Sequence, residues 1–176
     1  QDCFIRGDID FIFGSATAYF DRCELYSAGR NTEKKGYVTA ASTPKGQKYG
    51  YVFRNCRFTG NSSRESVYLG RPWRDYARTV LIDCYLGPHI CREGWHDWDK
   101  KNARSTLFYG EYASYGPGAG GQDAADRYAA GQDAADQGTR DRGTSRPDWV
   151  FMLTRDQIQD YTMEQVLGGT DGWNPG

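Results

Sequence analysis

A carboxylate stands where a strand core would be expected. The stretch Ile5-Arg6-Gly7-Asp8-Ile9-Asp10-Phe11-Ile12-Phe13-Gly14 has the aromatic and β-branched make-up of a buried strand, yet Asp10 sits within it. Burying a lone carboxylate is costly unless it is paired or hydrogen-bonded. Asp10 is therefore either a reactive group or the structural partner of an arginine. Asp8, two residues earlier, adds the option of an acid/base pair of carboxylates. Other catalytic arrangements fit less well. His89 and His96 are the only histidines, and His96-Asp97 has no serine elbow to serve. Gly14-Ser15-Ala16-Thr17-Ala18 lacks the closing glycine of such an elbow. Two histidines without a Cys or Glu cluster make a poor zinc site, so no metal is expected. Asn61-Ser62-Ser63 is a glycosylation sequon, meaningful in a eukaryotic secretory route.

The elements that must position Asp10 are written around the cysteines. Cys3, Cys23, Cys56, Cys84 and Cys91 show no C-x-x-C pair, and their odd number forbids complete intramolecular pairing. Four share one context: Asp2-Cys3-Phe4-Ile5, Arg22-Cys23-Glu24-Leu25, Asn55-Cys56-Arg57-Phe58 and Asp83-Cys84-Tyr85-Leu86. An apolar residue stands two after each Cys, and Phe20, Phe53 and Leu81 stand three before the last three. One strand recurring at intervals of 20, 33 and 28 residues implies a solenoid whose coils stack on one another. The thiols then form an inward ladder of small buried hydrophobes, with disulfide formation as the competing reading. The expected fold is all-β, a right-handed parallel β-helix with a short C-terminal helical segment. Thr154-Arg155-Asp156-Gln157 reads as a capping box opening that segment, with Ile158, Tyr161 and Val166 against the coils and Gly168-Gly169 as its stop.

Residues 1–176 are read as one domain. Residues 116–146 break the pattern. They hold few large apolar residues, and Gly121-Gln122-Asp123-Ala124-Ala125-Asp126 recurs as Gly131-Gln132-Asp133-Ala134-Ala135-Asp136. This reads as a flexible, solvated loop insertion. A calcium role for its aspartates lacks the glycine spacing and terminal Glu of an EF-hand loop. The 22 basic and 23 acidic residues give a net charge of −1, which leaves no footprint for nucleic acid or an anionic membrane. Mean hydropathy is −0.79 and no apolar run is long enough for a membrane helix. Thirteen Tyr and five Trp suit a carbohydrate groove, since flat rings stack on sugar faces, though most such rings serve as core. The chain starts at Gln1, without an initiator Met or a visible signal peptide, as a fragment or processed piece would.

The ten-residue stretch resembles the active-site signature of the pectin methylesterases at Ile5, Gly7, Asp10, Phe11, Ile12, Phe13 and Gly14. Leu69-Gly70-Arg71-Pro72-Trp73 resembles the family's other hallmark. Weaker matches come in order at Gly36-Tyr37-Val38-Thr39-Ala40, Glu111-Tyr112, Gly116-Pro117-Gly118-Ala119 and Gly172-Trp173. The resemblance implies hydrolysis of the methyl esters of homogalacturonan, giving pectate and methanol without a cofactor. Asp10 takes the place of the nucleophile, a role open to a carboxylate that stays ionised. Arg71 takes the place of the group that orients it, because a guanidinium grips a carboxylate through two hydrogen bonds. Trp73, Phe13, Ile9 and Trp98 map onto substrate contacts. The resemblance further implies a secreted protein of the cell wall or periplasm, monomeric when full length, whose partner is methyl-esterified polygalacturonan. The family's general acid and oxyanion glutamines belong to earlier coils and have no counterpart in residues 1–176. The chain thus reads as a C-terminal part of the catalytic domain, inactive or nearly so alone.

Plainer readings stand beside these. Arg71 before Pro72 would also cap a turn. Strict alternation puts Ile9, Phe11 and Phe13 on one face, which conflicts with a groove role for Ile9 and Phe13 unless the backbone bends at or just before Gly14. A β-helix pectin lyase and a non-catalytic polysaccharide-binding β-helix are the alternative functions.

Overall fold

The computed structural model describes residues 1–29, 34–120 and 145–169. The 121–136 duplication and Gly172-Trp173 lie outside the described residues. The chain climbs in coils. The first carries β1 (Phe4–Gly7), β2 (Ile9–Gly14) and β3 (Ala18–Asp21). The second carries β4 (Glu24–Ser27), β5 (Gly36–Ala41) and β6 (Tyr51–Arg54), and the third β7 (Arg57–Gly60), β8 (Val67–Pro72) and β9 (Arg78–Ile82). The fourth has β10 (Tyr85–Leu86), single bridges at Ile90 and Trp95, and β11 (Phe108–Tyr112), against which β12 (Phe151–Met152) returns. Equivalent strands stack in parallel into three sheets, β1-β4-β7-β10, β2-β5-β8 and β3-β6-β9-β11-β12. This is the expected parallel β-helix.

The repeat seen in the sequence is the register of the coils. Ile5, Leu25, Phe58 and Leu86 are successive Cα partners, as are Phe20, Phe53 and Leu81. Leu25, Phe53, Phe58, Leu81 and Leu86 are fully buried in one core. The residue before each ladder cysteine turns the corner between two sheets in a left-handed conformation: Asp2 (φ 52°), Arg22 (52°), Asn55 (54°) and Asp83 (54°). The amides on either side bond to neighbouring coils, as in Asn55 N–H to Ile82 O (3.0 Å) and Arg57 N–H to Cys23 O (2.9 Å). A fifth rung stands at Ala113 (φ 50°) and Ser114, where serine replaces cysteine. Cys23, Cys56 and Cys84 are buried and unpaired, each thiol within 3.3–3.4 Å of the carbonyl two residues before it. Cys3 is exposed, and Cys91 is buried outside the ladder. Cys23, Cys56 and Cys84 are packing groups, Cys3 departs from the expected inward ladder because no coil covers it among the described residues, and the disulfide reading falls.

The capping box forms reciprocally: Thr154 N–H donates to Gln157 Oε1 (2.9 Å) and Gln157 N–H to Thr154 Oγ1 (3.3 Å). The helical segment beyond the box is split in two. A 3-10 turn at Gln157–Tyr161 stops at Thr162, which is extended and caps a separate helix, α1 (Met163–Leu167), by accepting from Gln165 N–H. Ile158 and Val166 pack with Val52, Val80 and Ile82 in a second cluster, so the segment flanks the large sheet. The ends of the segment read as an insertion are seated in the fold. Gly118 N–H donates to Leu86 O (2.9 Å), and Arg146 is buried against Glu111. That pair is only 1% exposed on each side, with Arg146 Nε–Glu111 Oε1 at 2.7 Å and Nη2–Oε2 at 3.2 Å. Trp95 Nε1–H supplies a third bond to Glu111 (2.7 Å), so the buried charges are paired and hydrogen-bonded. No helix among the described residues is long and apolar enough to cross a membrane.

Candidate active site

Asp10 owes its position to a break in β2. Ile9 pairs with Tyr37 and Ile12 with Thr39, three steps on one strand against two on the other. The extra residue makes a β-bulge, and Asp10 sits in it at φ 51°. The bulge resolves the alternation conflict, at Asp10 and not at Gly14. Ile9 (38% exposed) and Phe13 (55%) both face outward, while Ile12 is buried and Phe11 packs on the core. Gly7 is required beneath it, because a Cβ there would overlap the Phe11 ring.

Arg71 lies two coils away on β8, in register with Ala40 of β5, which in turn pairs with Phe13. Adjacent strands are about 4.8 Å apart, so an arginine reaches back across the small Ala40 to β2. Its Nε donates to Asp10 Oδ1 at 3.0 Å and its Nη2 to Oδ2, a two-point grip. The side chains are 13% and 17% exposed, so the pair is sheltered from solvent competition but open to a ligand. The guanidinium is held between two rings, 4.1 Å from the Tyr37 centroid and 4.5 Å from that of Trp98. Such cation–π contacts are each worth about 0.5–2 kcal/mol. Gly70, before Arg71, admits the neighbouring coil, since a Cβ there would strike Thr39 Oγ1.

All six residues singled out in the sequence meet here. Phe13 sits edge-on to Trp73 (5.0 Å, 77°), and Trp73 stacks on Trp98 (5.2 Å, 22°). Ile9 and Arg71 share the wall of a cleft on the other side of Asp10. Trp98 touches the guanidinium directly, so orienting Arg71 is part of what its ring does. Asp8 is exposed.

Sequence reasoning missed Tyr37, Tyr68, His96 and Lys35. Tyr37 and Tyr68 are Cα partners in the column begun by Ile9, and their rings stack at 5.4 Å. Burial pushes the Tyr37 phenol above its ordinary value despite the opposing Arg71 charge. Its hydroxyl lies 3.1 Å from His96 Nδ1, and the His96 ring stacks on Tyr68 (5.1 Å). Aligning the coils strand by strand would have exposed the tyrosine column, whereas His96 lies in the fourth coil, outside any repeated strand. His96, Asp97 and Asp99 place ligand-type atoms within 4.8 Å of one another. Asp97 is already spent on Arg104 (2.8 Å) and on the Asp99 amide (3.0 Å), and a guanidinium there opposes a cation.

The arrangement offers an ionisable carboxylate fixed by a cation, on a sheet surface flanked by aromatic rings. Comparison with known proteins agrees with it. The family model described as Pectinesterase matches residues 1–128. Pectinesterase 31 of Arabidopsis thaliana is 41% identical over 121 residues, which is 68% of this chain and 36% of that protein. The pectin methylesterase from carrot superposes with a TM-score of 0.75 at 30% identity, covering 96% of this chain and 49% of the carrot chain. A pectin methylesterase solved in complex with a hexasaccharide gives 0.67 at 31% identity, over 99% and 51%. This chain thus spans about a third to a half of the length of these relatives. With two signature stretches meeting at one carboxylate, and the family model matching most of its length, the chain belongs to the pectinesterase family.

Proposed function

We propose that Asp10 is the nucleophile of a methyl-ester hydrolase acting on homogalacturonan. The Asp10–Arg71 grip on the bulge carries this reading: it fixes the carboxyl group and aims it outward while leaving lone pairs for attack. An Asp10 oxygen adds to the C6 carbonyl carbon of a methyl galacturonate, giving a tetrahedral oxyanion. Collapse expels methoxide, which leaves as methanol on taking a proton, and an acyl-enzyme anhydride remains. Water hydrolyses it, releasing the galacturonate carboxylate and restoring Asp10. Phe13 and Trp73 present ring faces to the sugar chain, with Trp98 behind them. By the resemblance, the general acid and oxyanion donors would belong to coils earlier than residues 1–176. The hexasaccharide complex of a relative supports a polysaccharide groove across this sheet. A cell-wall or extracellular setting accords with that substrate.

The test is methanol release from methylated pectin by a protein carrying the relatives' preceding coils. Asp10→Asn is expected to lower it by about 10³-fold or more. Wild-type-like release from Asp10→Asn defeats the assignment. The 176-residue chain by itself is expected to release little methanol.

A further inference from the structure

Trp98 and Asp99 stand in succession in the left-handed region, at φ 54° and 56°. That backbone is costly for residues other than glycine, and a bulky side chain adopts it only under constraint. Strain of this kind persists where the surroundings over-determine it, and it gathers at functional sites. Here the surroundings are a set of tethers. Asp97 Oδ1 accepts the Asp99 amide (3.0 Å), and Asp97 Oδ2 accepts Arg104 Nε–H (2.8 Å) from the 3-10 turn Lys101–Ser105. Lys100 N–H donates to Asp97 O (3.0 Å). The Lys100 side chain then crosses to the end of β8, where Nζ donates to Trp73 O (2.8 Å) and Pro72 O (3.3 Å).

What the turn delivers is the Trp98 ring. Three groups meet it: the Arg71 guanidinium at 4.5 Å from its centroid, Lys100 Nζ at 4.9 Å and the Trp73 ring at 5.2 Å. One half-buried ammonium therefore ties the backbone just beyond Arg71 to the ring that confines the Arg71 guanidinium. Without that ring, the Tyr37 face at 4.1 Å would be the remaining aromatic contact of the guanidinium among the described residues.

We propose that Lys100 is a positioning residue for Asp10, acting through Trp98 and Arg71. By closing the strained 97–99 turn onto the end of β8, it presses the ring against the guanidinium that grips the carboxylate. Arg71 is then kept from swinging off Asp10, and the carboxylate keeps the direction its bulge sets. The consequence for catalysis rests on the esterase reading of Asp10, whereas the consequence for the grip does not.

Hydrogen exchange of the Arg71 Nε–H reads the grip in the 176-residue chain without catalysis. NMR follows the proton, assigned by its loss in Arg71→Lys, and the buried Arg146 Nε–H on Glu111 serves as internal control. Lys100→Met is expected to speed exchange at Arg71 by at least about tenfold and at Arg146 by less than about twofold. Lys100→Arg, which keeps the charge and the donors, is expected to stay within about threefold of the wild-type rate at Arg71. Because Lys100 acts through the ring, Lys100→Met/Trp98→Leu should exchange no faster than Trp98→Leu alone. An unchanged Arg71 rate, equal acceleration at both arginines, or a Lys100→Met effect that persists in the Trp98→Leu background overturns the proposal. In the protein carrying the relatives' preceding coils, Lys100→Met is expected to lower kcat for methanol release by at least about fivefold with KM within about twofold. A loss confined to KM, or none, overturns the catalytic consequence. If Asp10→Asn keeps full activity while the exchange result holds, the nucleophile assignment fails and the positioning of Arg71 by Lys100 stands.

Discussion

Removing the Arg146 guanidinium exposes how the fourth coil is held. Arg146 donates to both Glu111 oxygens, to Arg92 O (2.7 Å), to Cys91 O (3.4 Å) and to Gly118 O (3.1 Å). With both partners 1% exposed, Arg146→Met strands a carboxylate in the interior with Trp95 Nε1 as its remaining donor. Breaking one side of a buried pair costs about 3–5 kcal/mol. Domains of ordinary stability have about 5–15 kcal/mol in hand, so a large fraction is at stake. Glu111→Gln keeps an acceptor for Trp95 and removes the charge. The Glu111→Gln/Arg146→Met protein should therefore recover about 2 kcal/mol over the sum of the single losses, the coupling of two groups in direct contact. Urea unfolding followed by tryptophan emission measures all four corners of the cycle. An Arg146→Met loss below about 1 kcal/mol, or additive single effects, would refute the reasoning. The first outcome would mean water reaches Glu111, and the second that the two charges do not sense each other.

Three further outcomes are expected from the geometry. His89 is 1% exposed, neither ring nitrogen has a hydrogen-bond partner, and burial lowers its pKa from 6.5 to about 4. The unfolded chain binds the proton first as pH falls, so stability should drop by up to about 3 kcal/mol between about pH 6.5 and 4 and no further from this group; His89→Phe should flatten that part of a pH series of urea midpoints. Ala113 adopts a left-handed backbone at φ 50°, so Ala113→Gly should gain about 1 kcal/mol, seen as a higher melting temperature. Gly70→Ala should lose about 1–3 kcal/mol through overlap with Thr39 Oγ1, and Thr39→Ala in the same chain should restore most of it, read by the same melts.

Periodicity made the coils legible. The cysteine-centred repeat marked the coil corners from Asp2 to Asp83 and two core columns, because residues that stack must share size and polarity. The fifth rung stayed hidden, since Ser114 replaces cysteine and Ala113 says nothing of a left-handed corner. The Thr154–Gln157 box was visible as a local pattern, but the break at Thr162 was not, because it depends on how Ile158 and Val166 seat on one sheet face. At the site, residue types pointed to Asp10 and Arg71. The bulge that turns Asp10, Ile9 and Phe13 outward together leaves no sequence mark beyond the conflict in alternation. Arg146 lay in a stretch that composition assigns to solvent. Its burial depends on one carboxylate 35 residues earlier, a pairing no local window contains.

The left-handed corner before each ladder residue divides every coil into a fixed part and a free part. Successive corners are 20, 33, 28 and 30 residues apart, yet the corners themselves repeat the same hydrogen bonding. All variation in coil length is therefore absorbed at the other two bends, the ones flanking the middle sheet that carries Asp10 and Arg71. Segments can lengthen, shorten or be exchanged at the rim of the groove while the stacking below keeps its count. Such a scaffold lets the rim diversify alone, with the Asp10–Arg71 pair kept unchanged.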